Sequence, residues 1–222
     1  MTEKRLLDIE EVISRLRQAV RLFPKAAMFA LAEEGYTSAF EQLISCIISI
    51  RTYDEVSLPV SRSLFAVAKT PAEMSNLSIE KIESLIAQST YAKRKAAQIK
   101  AISQQIVTEY DGVLPCDEKV MLNFKGVGVK CAHLALGIAC EQPYISVDVH
   151  VHRVTNRWGY VQTKTPEKTT TALETKLPQK YWIEINSLLV PFGKHICTGK
   201  LPRCSNCSLL EMCQQVDVTK SR

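Results

Sequence analysis

Four cysteines lie close together near the C-terminal end of this 222-residue chain, with the spacing C-x6-C-x2-C-x5-C. They are Cys197, Cys204, Cys207 and Cys213. Soft thiolate ligands in so short a segment are typical of zinc or of an iron–sulfur cluster. Structural zinc sites usually combine two short C-x2-4-C pairs, whereas this segment has a single C-x2-C pair between longer loops. The spacing therefore favours a [4Fe–4S] cluster over zinc, and we expect the metal to organise this end of the chain.

The other four cysteines, Cys46, Cys116, Cys131 and Cys140, follow no such spacing. The N-terminal residues are charged throughout and lack the apolar core of a signal peptide, so we expect a cytoplasmic protein. No stretch approaches the ~20 apolar residues of a membrane span, so no membrane partner is expected. Disulfides are rare in the cytoplasm. Three of these cysteines lie in apolar segments and are expected to be small buried side chains without disulfide partners.

Apolar residues recur along most of the chain at the three- and four-residue spacing of one helical face. These apolar stripes begin at Ile9, Phe40, Val56, Ile79 and Ile99. Two helix starts are also marked, because Thr70 and Thr165 are N-cap candidates followed directly by proline, and Glu73 can close a capping box on Thr70. No Asn-Gly or Asp-Gly turn joins two alternating apolar–polar segments. The sequence therefore predicts an all-α fold.

A glycine-containing turn, Gly126-Val127-Gly128, precedes a strongly apolar helix. Glycines two residues apart permit a tight turn, and the turn amides together with the helix N-terminus form an anion site. An ordinary connection between helices is the alternative.

Lys130 lies in the first turn of that helix, where the helix dipole and partial desolvation favour the neutral amine. A neutral amine is a nucleophile that can form a Schiff base, whereas a solvated lysine would have no such role.

Asp148 follows Lys130 by 18 residues in a mostly apolar, β-branched segment. It is expected to be the N-cap of a helix that begins near Val149. Capping amides keep a carboxylate ionised and fixed, so a capping role and a catalytic role are compatible in one residue.

Together these residues resemble the endonuclease III family of the helix–hairpin–helix DNA glycosylase/AP lyase superfamily. The resemblance rests on G-V-G-x-K at 126–130, V-D-x-H at 147–150 and the cysteine segment, and it covers roughly residues 9–215. It implies a [4Fe–4S] cluster on the four C-terminal cysteines. It also implies two helical lobes, in which 32–142 form a six-helix barrel with the helix–hairpin–helix motif and 1–31 join 143–222 in a cluster domain.

The resemblance further implies base excision repair of double-stranded DNA that contains damaged bases or abasic sites. Lys130 would attack the sugar C1′ and displace the base, with Asp148 as its carboxylate partner. The resulting Schiff base would promote cleavage 3′ to the abasic site by β-elimination. We therefore expect a bifunctional DNA glycosylase and AP lyase that removes oxidised pyrimidines such as thymine glycol. Relatives that excise adenine opposite oxidised guanine usually lack this lysine.

The positive charge is concentrated in two segments, although the whole chain carries only +5. Residues 91–100 contain four basic and no acidic side chains, and residues 194–222 carry five basic and two acidic ones. We interpret these two basic segments as phosphate-binding surfaces, in preference to helix faces that are merely solvated. The resemblance assigns Arg51 and Tyr91 to the gap left by a flipped base, where relatives more often carry glutamine and an aliphatic residue. The predicted DNA contacts are Arg51, Tyr91, Lys93, Arg94, Gly126, Val127, Gly128, His150, Lys200 and Arg203.

Two other functions stay open at this point. A monofunctional mismatch glycosylase would release a base and leave abasic DNA uncut, and a non-catalytic iron–sulfur protein would bind DNA without cleaving it. The intact pair of Lys130 and Asp148 favours the bifunctional enzyme. A monomer is expected, associated with the nucleoid if the chain is bacterial. The departures at Cys116, Lys125 and Val129 leave its lesion spectrum open.

Overall fold

The computed structural model describes residues 4–222, and within that range all regular secondary structure is helical, which confirms the all-α prediction. The chain divides into two compact units. The continuous unit is Ala27–Tyr144, and the split unit combines the described residues up to Ala26 with Ile145–Arg222. Among residues 4–222, no helix combines the length and the hydrophobicity needed to cross a membrane.

The helices follow one another with short connections. In chain order they are α1 (Ile9–Val20), α2 (Ala27–Glu33), α3 (Ala39–Ser49), α4 (Asp54–Phe65), α5 (Pro71–Asn76), α6 (Ile79–Leu85), α7 (Ala92–Glu109), α8 (Glu118–Asn123), α9 (Val129–Cys140), α10 (Val149–Arg157), α11 (Pro166–Lys176) and α12 (Glu184–His195). Short 3₁₀ turns cover Gln179–Tyr181 and Cys204–Asn206.

Helix α3 forms the centre of the continuous unit. Its predicted apolar stripe is buried, and the flanking positions Gln42, Ser45 and Cys46 are buried as well. A helix that is buried on every side needs neighbours all around, and α3 packs against α9, α4 and α7. Because α9 is likewise apolar over most of its surface, these two helices fix the position of the turn that precedes α9.

The predicted helix starts are confirmed. Thr70 Oγ1 accepts a hydrogen bond from the Glu73 amide at 3.2 Å, and Glu73 Oε2 accepts one from the Thr70 amide at 3.0 Å. Pro71 occupies the first position of α5, and Thr165 caps α11 ahead of Pro166. These signals were readable because both partners of each contact lie within four residues in the sequence.

The prediction that Cys46, Cys131 and Cys140 have no disulfide partner is wrong. Cys46 on α3 pairs with Cys131 on α9, and Cys116 pairs with Cys140, with Cα–Cα separations of 5.6 Å and 6.0 Å. The partners are 85 and 24 residues apart, so only the packing of the helices brings them together. Closing loops of these lengths restricts the unfolded chain by about 3–5 kcal/mol per disulfide in the chain-entropy description. Both disulfides lie in the continuous unit.

The split unit is held together by contacts between the two ends of the chain. Helix α1 packs on α12, and α12 packs on α10. Arg15 lies 2.7 Å from Glu211, and Lys4 Nζ donates to the Leu210 carbonyl at 2.7 Å. On the apolar side of α1, Ile13 and Leu16 are completely buried. The segment that carries the four clustered cysteines is thereby attached to α1.

Candidate functional site

The turn between α8 and α9 is closed by hydrogen bonds on both sides. The Val127 amide donates to the Phe124 carbonyl at 3.0 Å, and Gln98 Nε2 on α7 donates to the Lys125 carbonyl at 2.9 Å. Gly126 has φ of +81°, and a Cβ there would lie 3.0 Å from Gln98 Nε2. The left-handed backbone therefore favours glycine at 126, and a Cβ there would also displace the end of the Gln98 side chain.

The start of α9 carries Lys130 as its second residue. Gly128 is the N-cap and has no side chain to bind the first-turn amides. Amides in the first turn of a helix lack partners within the helix, so they can bind an anion there. The Val127 side chain is buried, which leaves its main chain as the group available to a ligand. Lys130 is half-buried, and the next residue, Cys131, is fixed by its disulfide.

Asp148 is the N-cap of α10 in the split unit, as predicted. Its Oδ1 accepts hydrogen bonds from the amides of His150 at 2.8 Å and Val151 at 2.9 Å. The preceding residues Ile145 and Val147 are buried and anchor this turn. The carboxylate is therefore held in one orientation at the positive end of a helix.

His150 follows in the first turn of α10. Its Nδ1 lies 3.1 Å from Arg153 Nη2. Arg153 also donates to the Gly193 carbonyl at 2.8 Å, and a Cβ at Gly193 would lie 2.6 Å from His150 Nδ1. Gly193 thus lets α12 pass close to the start of α10, and substitution there would displace the histidine.

The four clustered cysteines line one cavity of the split unit. Their thiols form no disulfide. Arg157 orders the loop that follows Cys197, since its guanidinium donates to the Thr198 and Gly199 carbonyls at 2.6 Å and lies 3.5 Å from Cys197 Sγ. The Gln215 amide donates to Cys213 Sγ at 3.4 Å. Both sulfur contacts come from N–H donors, which would stabilise thiolates bound to a metal.

The donor set of this cavity fits an iron–sulfur cluster. It consists of four sulfurs, and burial raises the pKa of the Cys207 thiol to about 11, so a bound metal has to displace its proton. In a cluster each thiolate binds a different iron atom, so four sulfurs around one cavity suit that group.

Arg51 and Tyr91 stand at the tips of two loops of the continuous unit. Both have left-handed backbones, with φ of +53° and +61°, which non-glycine residues rarely adopt. The Tyr91 side chain is 58% exposed, and Arg51 is exposed as well. Lys93 and Arg94 follow directly after Tyr91 and are also exposed.

Fewer of the basic side chains in residues 91–100 are exposed than the charge count predicted. Lys95 is buried, and Lys100 Nζ binds the main-chain carbonyls of Ser75 and Leu77. Lys95 is one of the four basic residues of the 91–100 segment for which phosphate binding was predicted. A signal was present, because Lys95 precedes Ile99 by four residues and so falls on the apolar stripe of α7. The exposed charge of this run is that of Lys93 and Arg94.

Lys200 and Arg203 are exposed in the loop between Cys197 and Cys204. The loop is ordered by the Arg203 amide, which donates to the Ile196 carbonyl at 2.9 Å, and by Thr198 Oγ1, which donates to the Leu201 carbonyl at 2.8 Å. The structure thus places Lys200, Arg203, Asp148, His150 and the clustered cysteines in the split unit. The glycine turn, Lys130 and the two loop tips lie in the continuous unit.

Residues 44–179 match the family model described as HhH-GPD superfamily base excision DNA repair protein. Endonuclease III of Thermotoga maritima is 37% identical to this chain over 198 residues, which are 89% of this chain and 90% of that protein. A solved structure of a trapped endonuclease III–DNA covalent intermediate superposes with a TM-score of 0.78 at 25% identity, over 95% of this chain and 97% of the other.

A thermostable thymine-DNA glycosylase superposes with a TM-score of 0.79 over 93% of this chain and 95% of the other, at 19% identity. At that identity the likeness concerns the fold alone. The same helical architecture therefore occurs in proteins that carry different enzyme names.

Proposed function

The chain belongs to the HhH-GPD superfamily of base excision DNA repair proteins, and from this premise we propose that it is a bifunctional DNA glycosylase and AP lyase acting on oxidised pyrimidines such as thymine glycol. That it is a base excision repair DNA glycosylase follows from its relatives. The observation that carries the finer proposal is Lys130, placed in the first turn of α9 directly behind the glycine turn. A trapped covalent DNA intermediate of the structurally similar endonuclease III supports a covalent mechanism.

In the proposed reaction, Lys130 Nζ attacks the sugar C1′ and the bond between C1′ and the base breaks, so that the base leaves with the bonding electrons. Opening of the sugar ring gives a protonated Schiff base between Lys130 and C1′. Loss of a proton from C2′ then expels the 3′ phosphate. Asp148 accepts the proton of the attacking amine or stabilises the positive charge that develops on the sugar.

The remaining predicted residues bind the DNA in this proposal. The main chain of Gly126, Val127 and Gly128, with the first-turn amides of α9, holds a backbone phosphate. Arg51 and Tyr91 fill the gap left by the flipped base. The other phosphate contacts are Lys93, Arg94, His150, Lys200 and Arg203.

We assign the four clustered cysteines as ligands of a [4Fe–4S] cluster, within a domain formed by 1–31 and 143–222. When bound, the cluster supplies a structural cross-link, and it takes no part in the reaction steps above. It would fix the loop that presents Lys200 and Arg203. Residues 32–142 are proposed as the six-helix barrel. We further propose a monomer that works in the cytoplasm, on nucleoid DNA if the chain is bacterial.

The function is tested with wild-type protein on duplexes that carry thymine glycol, a G·T mismatch or a plain abasic site. We expect strand cleavage without alkali on both the thymine glycol and the abasic duplexes, and on the thymine glycol duplex the cleavage rate should equal the rate of base release. Strand cleavage that appears only after alkali, on the mismatch duplex, would instead identify a monofunctional mismatch glycosylase. Binding without base release or cleavage would identify a non-catalytic protein. Varying the opposite base measures the preference set by Arg51.

Asp148→Asn is expected to lower base release by about 10²–10⁴-fold, because asparagine caps a helix as well as aspartate but carries no charge. The melting temperature should therefore stay close to that of the wild type. Asp148→Ala is the control for the cap, and it should lose about 1 kcal/mol of stability in addition. If Asp148→Asn released the base at the wild-type rate, the Asp148 carboxylate would have no role in the reaction.

A further inference from the structure

We propose that Lys95 is a positioning residue, which locks the loop tips that carry Arg51 and Tyr91 into one rigid element for gap filling in DNA. The two segments, 49–52 and 89–91, are called the paired tips below. The proposal rests on the DNA-binding role proposed above for Arg51 and Tyr91. It assigns Lys95 no contact with DNA.

The Lys95 ammonium binds both tips at once. Its Nζ lies within hydrogen-bond distance of four oxygens: the Ile48 carbonyl at 2.7 Å, the Ile50 carbonyl at 2.7 Å, Ser89 Oγ at 2.8 Å and Thr52 Oγ1 at 3.2 Å. Three of these acceptors belong to the C-terminal end of α3 and the tip that follows it, and the fourth belongs to the second tip. A cation at the C-terminal end of α3 also meets the negative end of that helix dipole.

A second layer of hydrogen bonds joins the tips directly. Ser89 Oγ donates to the Ile48 carbonyl at 3.0 Å, and the Thr90 amide donates to Thr52 Oγ1 at 3.1 Å. Thr52 Oγ1 and Ser89 Oγ are 3.2 Å apart. Each hydroxyl therefore bonds both to the other tip and to Lys95. Removing the ammonium would leave two carbonyls and two hydroxyls short of their central donor.

The paired tips have backbones that need such support. Arg51 and Tyr91 both have left-handed φ angles, which cost free energy in residues with a Cβ. Lys95 binds the carbonyl that immediately precedes Arg51, and its own amide donates to the Tyr91 carbonyl at 3.0 Å. Strained residues persist where their surroundings over-determine them, and they cluster at functional sites. Here the strain falls on the exposed residue of each of the paired tips.

The Lys95 ammonium is buried among neutral oxygens. Lys95 is 4% exposed, and its four acceptors include no carboxylate. Burial lowers its pKa to about 8. An apolar residue on this stripe of α7 would avoid the desolvation of a charge. An ammonium donates three hydrogen bonds from one atom, which matches the three acceptors at 2.7–2.8 Å, and Thr52 Oγ1 at 3.2 Å is the longer fourth contact.

The test compares Lys95→Met with Lys100→Met in the full-length protein. Lys100 is a matched control, because it lies on the same helix and its Nζ also binds two main-chain carbonyls, far in sequence from the paired tips. The fluorescence of 2-aminopurine opposite the lesion reports gap filling, and KM and kcat are measured on the lesion duplex. For Lys95→Met we expect at least a tenfold rise in KM and loss of the fluorescence change. Lys100→Met should stay within twofold of the wild type for both.

A double-mutant cycle separates positioning from loss of stability. In the Arg51→Ala/Tyr91→Ala background, Lys95→Met should add less than a twofold effect, since there are no tip side chains left to position. The proposal would be overturned if Lys95→Met raised KM as much in that background as in the wild type. Equal changes in KM and fluorescence for Lys95→Met and Lys100→Met would also overturn it. If Lys95→Met does not fold, Thr52→Val with Ser89→Ala removes the tip acceptors instead, with the same expected results and the same criteria.

Failure of the proposed function gives a different result. A wild-type protein that leaves every lesion duplex uncut contradicts the glycosylase/lyase assignment. The positioning role is then read from binding to a duplex with a stable abasic analogue, which needs no catalysis. Wild-type affinity of Lys95→Met for that duplex, alongside a lower affinity of Arg51→Ala/Tyr91→Ala, would overturn the positioning role alone.

Discussion

Lys130→Ala is expected to abolish borohydride trapping on abasic DNA and to lower strand cleavage by at least about 10³-fold, as removal of a nucleophile typically does. The expectation follows from the place of Lys130 in the first turn of α9, next to the glycine turn. Alanine is the most favourable helix residue, and the neighbouring Cys131 keeps its disulfide to α3, so the fold should be retained. The measurement is a covalent adduct on a denaturing gel.

Lys125→Ala is the matched control for this variant. Lys125 is an exposed lysine of the same turn, and the contact that orders it is made by its main-chain carbonyl with Gln98, which the substitution leaves in place. We expect trapping at the wild-type level and at most weaker binding of DNA. Trapping by Lys130→Ala as strong as in the wild type would mean that another amine attacks the sugar.

Features that depend on neighbours in the sequence could be predicted. The apolar stripe of α3, the capping box of Thr70 and the N-cap role of Asp148 all use contacts within a few residues, and all are present. The glycine turn could also be predicted, and the left-handed φ of residue 126 explains why glycine occupies that position. Local chemistry therefore fixed the start of α9 and the start of α10, which carry the proposed catalytic pair.

Features that depend on packing between distant segments could not be predicted from the sequence. Cys46 and Cys131 pair because α3 and α9 lie side by side, and no spacing in the sequence marks that contact. Lys95 looks like one more charge in a basic run until α7 is packed against the end of α3. The importance of Gln98, which binds the turn from α7, is hidden in the same way. Each of these residues acts through a partner at least 27 residues away.

Loss of one cluster ligand is expected to have the largest effect on stability. Structural metal sites contribute roughly 10 kcal/mol or more to folding in zinc-finger peptides, and a four-thiolate cluster site is expected to be comparable. Cys213→Ser should therefore remove the absorbance near 400 nm and unfold the segment after α12, detected as rapid proteolysis C-terminal to His195. DNA affinity should fall as well, since the loop with Lys200 and Arg203 would lose its order.

The control is Cys116→Ser with Cys140→Ser, which removes two cysteines from the continuous unit. This variant should keep the full absorbance near 400 nm and about four iron atoms per chain, because its cysteines are outside the cluster segment. Its stability should fall by about 3 kcal/mol, through the loss of one disulfide. A colourless native protein that contains zinc would contradict the cluster assignment. Loss of absorbance in the control variant would place the cluster ligands elsewhere in the chain.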